Sequence, residues 1–183
     1  MEIEQIDEDC CKKYGDSPET NQMNIYKRVQ VKFESHLKIL KPMWNNYAQE
    51  IGVTDEDFIS EHALVQRIRI SEKAQHIFFE VITEGERVIG FIFYSIDGGI
   101  KGLIPPGYGY IMEIYIIPKY RKRNIASRIV EELSTFFRER KCPKLYLTPA
   151  KASVSFWMKQ GFIDSGLLDP DSQMNIYWKS MTQ

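Results

Sequence analysis

Residues 109–130 read GYIMEIYIIPKYRKRNIASRIV, and the fold turns on what the two halves of that stretch do. The first half is mostly apolar and β-prone, which predicts a strand over 109–117. In the second half and beyond it, Ile125, Ile129, Leu133 and Phe136 recur at helical spacing, which predicts a helix over about 122–140. Between the two stand four basic side chains, Lys119, Arg121, Lys122 and Arg123. A helix start leaves about four N–H groups without partners and carries roughly half a positive charge, so cations placed there cost roughly a few tenths of a kcal/mol unless an anion joins them. The turn therefore suits a phosphate or pyrophosphate, gripped by backbone amides and flanked by cations. Asn124 tolerates a left-handed backbone angle, and Ala126 lets a ligand come close to the chain. Neither GxxxxGK[ST] nor GxGxxG is present, so the seat is not that of a nucleoside triphosphate loop or a dinucleotide fold.

Working outward, IYKRVQVKF (25–33) alternates polar and apolar residues and predicts a strand. Residues 34–51 place Leu37, Leu40, Trp44, Tyr47 and Ile51 at helical spacing, with a stop at Gly52 and a kink or late start at Pro42. Thr54, with Asp57 three residues on, reads as the capping box of one helix over 54–68. Residues 76–97 form two β-rich runs around Glu84, Gly85 and Glu86, a hairpin signal. Residues 98–109, with five glycines and two prolines, are irregular. After the central strand and helix come a strand at KLYLTP (144–149), a short helix over 151–160 and strands near 161–168 and 173–179. The order β-α-α-β-β-β-α-β-α-β-β predicts an α/β (α+β) fold, a mixed sheet with helices packed on it. Residues 1–22, rich in Asp, Glu, Ser, Pro and Thr, read as a flexible acidic tail ahead of a single domain over 23–183. The pentapeptide QMNIY occurs at 22–26 and again at 173–177, with unrelated flanks and no repeat architecture.

A formal net charge of -1 disfavours a nucleic-acid partner and makes the basic turn a local feature. No stretch is apolar for long enough to span a bilayer, and the acidic start is unlike a signal peptide, so no membrane partner and a cytoplasmic location are expected. Cys10, Cys11 and Cys142 lack CxxC spacing, and His36, His62 and His76 are scattered; neither a disulfide framework nor a metal site is expected.

At the basic turn the chain resembles the GNAT-type N-acetyltransferase superfamily, whose acetyl-CoA loop follows Arg/Gln-x-x-Gly-x-Gly/Ala at the start of its central helix. Arg121-x-x-Asn124-x-Ala126 matches with Asn in place of the first Gly, and FWMKQGF (156–162) resembles the family's second signature, a helix ending at Gly-Phe. The resemblance runs from about residue 25 to the end. It implies a mostly antiparallel sheet and acetyl-CoA as co-substrate, with the backbone near Ile116 and Ile117 pairing with the pantetheine arm. It further implies that the amides of Lys122, Arg123, Asn124, Ile125, Ala126 and Ser127, with Arg121, hold the pyrophosphate, and that Ser153, Phe156 and Trp157 lie near the cofactor. Phe156 and Trp157 read equally well as plain core.

Acetyl transfer to an amine requires the amine to be neutral, and a free alkylamine has a pKa near about 10, so a base is needed. Glu113 is the one carboxylate on strand 109–117, among apolar neighbours that raise its pKa, and is the candidate catalytic residue. Tyr110 and Tyr115 are polar neighbours on the same strand. Where family members often carry a Tyr as general acid this chain has Trp157, and where a cofactor-contacting Asn is frequent it has Ala150; Tyr146 and Ser155 are the substitutes at hand. A small-molecule amine or a protein or peptide amine is the expected acceptor. Asp55, Glu56, Asp57 and Glu61 form an acidic rim suited to a cation, or else a solvated helix face. The assembly is open to a homodimer. The competing reading is a CoA-binding regulatory module without turnover.

Overall fold

The computed structural model describes residues 26–181; the acidic tail, Cys10, Cys11 and most of the first QMNIY copy lie outside them. Among the described residues seven strands form one sheet in the order β1-β2-β3-β4-β5-β7-β6. They are β1 (Lys27–Gln30), β2 (Ile77–Glu84), β3 (Arg87–Ile96), β4 (Gly109–Ile116), β5 (Lys144–Leu147), β6 (Ile163–Leu168) and β7 (Asn175–Ser180). Every neighbouring pair is antiparallel except β4 and β5. The hairpin expected around Gly85 is the β2–β3 turn, and the irregular run after β3 holds one bridge, Ile100 to Ile104.

Among the described residues five α-helices cover the sheet: α1 (Phe33–Ile51), α2 (Glu56–Ile59), α3 (Glu61–Lys73), α4 (Ile125–Glu139) and α5 (Val154–Lys159). The single helix expected over 54–68 is two. Asp55, not Thr54, caps α2 by accepting from the Asp57 N–H at 2.9 Å, and Ser60 caps α3 by accepting from Ala63 N–H at 3.1 Å. Two short polar side chains that compete for backbone donors break the helix where the apolar spacing alone reads through. Pro42 sits inside α1, which starts early at Phe33 and ends at Gly52 with φ 73°.

The amphipathic faces of the helices make two cores on opposite sides of the sheet. Ile125, Ile129, Leu133 and Phe137 of α4 pack with Ile111, Leu145, Trp157 and Phe162. Leu40 and Trp44 of α1 and Leu64 and Ile68 of α3 pack with Phe79, Phe91 and Tyr115. A third cluster, around Ile104, Tyr146 and Ile176, lies under the glycine-proline run.

The parallel pair positions the site. β4 and β5 share only the register pairs Gly109 with Leu145 and Tyr110 with Tyr146, then part. Gly109 is where they meet, and a Cβ there would lie 2.6 Å from the buried Phe137 ring. Gly109→Ala is expected to destabilise by about 1–3 kcal/mol through this overpacking, measured by urea unfolding; unchanged stability would show that α4 can shift away.

Candidate acetyl-CoA cleft

Where β4 and β5 part, a cleft of about 700 Å³ opens between them, running from the start of α4 toward α1. Its apolar walls include Ile111, Ile114, Ile116, Leu147, Phe156 and Trp157. The ladder decides which β4 backbone groups face it. Ile117 N–H donates to Ile89 O at 2.9 Å, and Tyr115 is opposite Phe91, so these two turn to β3. By the alternation of an antiparallel ladder, Ile114 and Ile116 turn their backbone groups away from β3, toward the cleft. Ile117, paired by expectation with the pantetheine arm, is thus not on the wall; its amide is committed to the sheet.

One end of the cleft is the basic turn. Lys122 and Asn124 both adopt φ 61°, with a single 3-10 turn, Pro118–Tyr120, before them. The alternation of left-handed residues aims successive N–H groups at one side, the geometry of an anion nest. The amides of residues 122–127 find no acceptor among the described residues, α4 has no side-chain cap, and its first turn holds no acid. Lys122, Asn124, Ile125, Ala126 and Ser127 all line the cleft.

The arginines behave differently from the amides. Arg123 turns out of the cleft to Glu84 at 2.5 Å, on the β2–β3 hairpin. Arg121 lines the cleft but is engaged, donating from Nε to Ile116 O at 2.8 Å and pairing with Glu50 of α1 at 2.6 Å. Ser153 donates its hydroxyl to Ala150 O at 2.9 Å, and Ser127 accepts from Gln160 at 3.2 Å, tying α4 to the end of α5. Trp157 is buried and packs edge-on against Phe156 and Phe162 while lining the cleft. The core and cleft readings of Trp157 are therefore compatible.

At the other end stands Glu113. It projects to the α1 side of the sheet and accepts a hydrogen bond from the Tyr47 hydroxyl. Burial pushes its pKa up to about 7, against the lowering effects of that hydrogen bond and of Arg67. Glu113 is not a wall of the cleft, whereas Tyr47 is. The Tyr47 phenol is held far above its ordinary pKa by burial and by Glu113, so it stays protonated. The helical spacing of α1 marked Tyr47 only as an apolar-face residue; nothing in one sequence tells a core tyrosine from one whose hydroxyl meets a carboxylate across 66 residues. A bulge shifts the register between Phe93 and Tyr94, leaving Met112 as the extra residue beside Glu113.

The substitutes for the missing tyrosine are removed by position. Tyr146 is buried in the third cluster, stacks on Tyr110 at 4.5 Å and donates to Asp97; Ser155 is exposed and off the cleft. Tyr115 donates to Glu50 at 3.4 Å.

The sequence pattern of the acetyltransferase (GNAT) family matches residues 37–162. Among solved structures, the PaiA N-acetyltransferase of Thermoplasma acidophilum in complex with coenzyme A is similar at 19% identity and TM-score 0.64, covering 85% of this chain and 98% of its own. An acetyltransferase from Streptococcus agalactiae 2603 is similar at 24% identity and TM-score 0.64, over 86% of this chain and 99% of its own. Spermidine N-acetyltransferase from Vibrio cholerae, in complex with CoA and spermine, is similar at 13% identity and TM-score 0.63, over 86% and 96%. A search of curated protein sequences finds no match. With the family pattern running from α1 through α5 to Phe162, and the mixed, mostly antiparallel sheet repeated in these structures, the chain belongs to the acetyltransferase (GNAT) family.

Proposed function

We propose that the protein transfers an acetyl group from acetyl-CoA to a primary amine by direct attack in a ternary complex. The observation that carries this reading is the run of unpaired amides at residues 122–127, on the rim of a cleft whose far end reaches Tyr47. Those amides would take the diphosphate, helped by Lys122, a cation on the cleft wall with no ion-pair partner among the described residues. The apolar walls suit the pantetheine arm, and the outward-turned Ile114 backbone and Ile116 N–H suit its amides, the Ile116 carbonyl being taken by Arg121. Bound there, acetyl-CoA supplies an activated acyl carbon on a thioester.

The chain's own task is to take a proton from the amine. Glu113, near pKa 7, is matched to a base working at neutral pH. Because Tyr47 stands between it and the cleft, the amine proton goes to the Tyr47 oxygen as the Tyr47 proton goes to Glu113. The two moves are coupled, since the phenolate is strongly disfavoured here. The neutral amine nitrogen then forms the new C–N bond, the C–S bond breaks with its electron pair leaving on sulfur, and the second N–H proton, lost as the amide forms, goes to that thiolate through solvent. A thiol pKa near about 8.5 lets that thiolate leave without a titratable donor, so Trp157 does not block turnover.

Trp157 also favours the second reading, a CoA-binding module without turnover. Free-thiol release from acetyl-CoA over a panel of primary amines separates the two. Acceptor-dependent thiol is expected. Calorimetric binding of acetyl-CoA with no thiol above background from any amine would establish the module instead.

A further inference from the structure

The formal net charge of -1 hides a division of charge along the chain. Residues 1–25 hold seven acids against Lys12 and Lys13, a net of -5, and five of those acids, Glu2, Glu4, Asp7, Glu8 and Asp9, fall within residues 2–9. Taking that segment from the totals of 24 basic and 25 acidic residues leaves 22 and 18, a net of +4 on the rest. Part of this surplus stands unneutralised at the basic turn. Arg121 and Arg123 are paired with Glu50 and Glu84, whereas Lys119 and Lys122 have no ion-pair partner among the described residues. Beside them lie the amides of 122–127 without acceptors and the acid-free first turn of α4. The other basic group of this helix, Arg138, Arg140 and Lys141, stands at its far end, where the last carbonyls repel a carboxylate.

The chain enters the described region close to that turn. Lys27, the first residue of β1, is opposite Thr83, and the next residue of β2, Glu84, is the one that holds Arg123 at 2.5 Å. Tyr26 donates its hydroxyl to Glu132 at 2.6 Å. Glu132 lies seven residues along α4 from Ile125, or about 10 Å of helix. Residues 2–9 precede Tyr26 by 17 to 24 positions, and 17 extended residues reach at most about 60 Å. Reach is therefore no obstacle, and charge decides where these carboxylates settle.

We infer that residues 2–9 dock on the basic turn of their own chain, their carboxylates taking the amides of 122–127 and the Lys119 and Lys122 ammonium groups in the place proposed above for the diphosphate. Carboxylates suit the positive end of α4 for the same reason that phosphates do. Exposed contacts of this kind are individually weak and are screened by salt, so a bound diphosphate can displace them. The docking needs only the charges and the amides. Its consequence, an acetyl-CoA affinity set partly by the acidic segment, rests on the acetyltransferase reading. A turn covered in about four molecules of five lowers the apparent affinity about fivefold.

The test uses the full chain carrying Cys11→Ser, with a fluorophore on Cys10; Cys142 is buried and its thiol pKa is pushed up, so it does not compete for the label. Label anisotropy is expected to be high at about 10 mM salt and to drop at about 1 M, where the screening length is only about 3 Å. At low salt it should also drop in Ala126→Glu, and in a variant with the five acids of residues 2–9 changed to Gln or Asn. Release in only one of these variants, or in neither, overturns the inference. Calorimetry reads the consequence. At about 10 mM salt the five-acid variant should bind acetyl-CoA about fivefold more tightly than the unaltered chain, with a ratio near one at about 1 M. Equal affinities at low salt overturn the competition. Release of the label in both variants, with no acetyl-CoA bound by any form, leaves the docking standing and withdraws the acetyltransferase reading instead.

Discussion

Glu113→Gln is expected to lower kcat/KM at neutral pH by about 10²- to 10³-fold and to erase the acid limb of the pH profile, which in the wild type should rise through about pH 7. Glutamine keeps the size and can still accept the Tyr47 hydrogen bond, so the packing of α1 on β4 survives while the proton sink is gone. Affinity for acetyl-CoA should not change, because Glu113 is not among the cleft walls. A second readout comes from stability. A carboxyl whose folded pKa is raised from 4.5 to about 7 favours the folded state most when protonated. Its effect is fully present below about pH 4.5 and is lost as pH rises through about 7, where the folded form binds more protons than the unfolded. Removing the charge should thus stabilise the protein above pH 7 by on the order of 1–3 kcal/mol. The variant is expected to melt higher than wild type at pH 8 and to differ little at pH 4.5. A rate profile unchanged in shape would remove Glu113 from the reaction; a lower melting point at pH 8 would contradict its buried setting.

Ala126→Glu should separate binding from folding at the other end of the cleft. The new carboxylate would stand in the first turn of α4, where no acid is present and the amides of 122–127 lack acceptors. Negative charge there favours the helix by about 0.3–1 kcal/mol, so the protein alone should melt at the same temperature or slightly higher. The same carboxylate occupies and repels the place proposed for the diphosphate. Calorimetry should show acetyl-CoA affinity falling at least about 100-fold, or about 2.7 kcal/mol. Arg123→Ala is the matching control: its side chain is drawn to Glu84, so affinity should stay within about threefold. If Ala126→Glu binds acetyl-CoA normally, the diphosphate is held elsewhere.

Much of this was legible in the sequence, for identifiable reasons. The strand–turn–helix at 109–140 announces itself because apolar spacing changes period across a basic, breaker-containing turn, and the element order follows from signals of the same kind. What could not be read depends on contacts distant in the chain. The split of α2 from α3 is a contest between Ser60 and the apolar stripe around it. The diversion of Arg123 to Glu84 needs the β2–β3 hairpin to be folded beside the turn. Choosing Ile116 over Ile117 takes the hydrogen-bonding phase of β4 against β3, which composition does not encode. Tyr47 looks like a helix-face residue until the sheet brings Glu113 to it.

The parting of β4 from β5 after two register pairs has one more consequence. It leaves an unpaired strand margin in the middle of a seven-stranded sheet, a place where bare peptide groups ordinarily recruit foreign chains. Here α4 and α5 roof that margin on one side and α1 bounds it on the other, so a slender thread fits and a second pleated ribbon does not. The helices that bound the gap proposed here for a cofactor arm would thereby also keep a foreign strand off that margin.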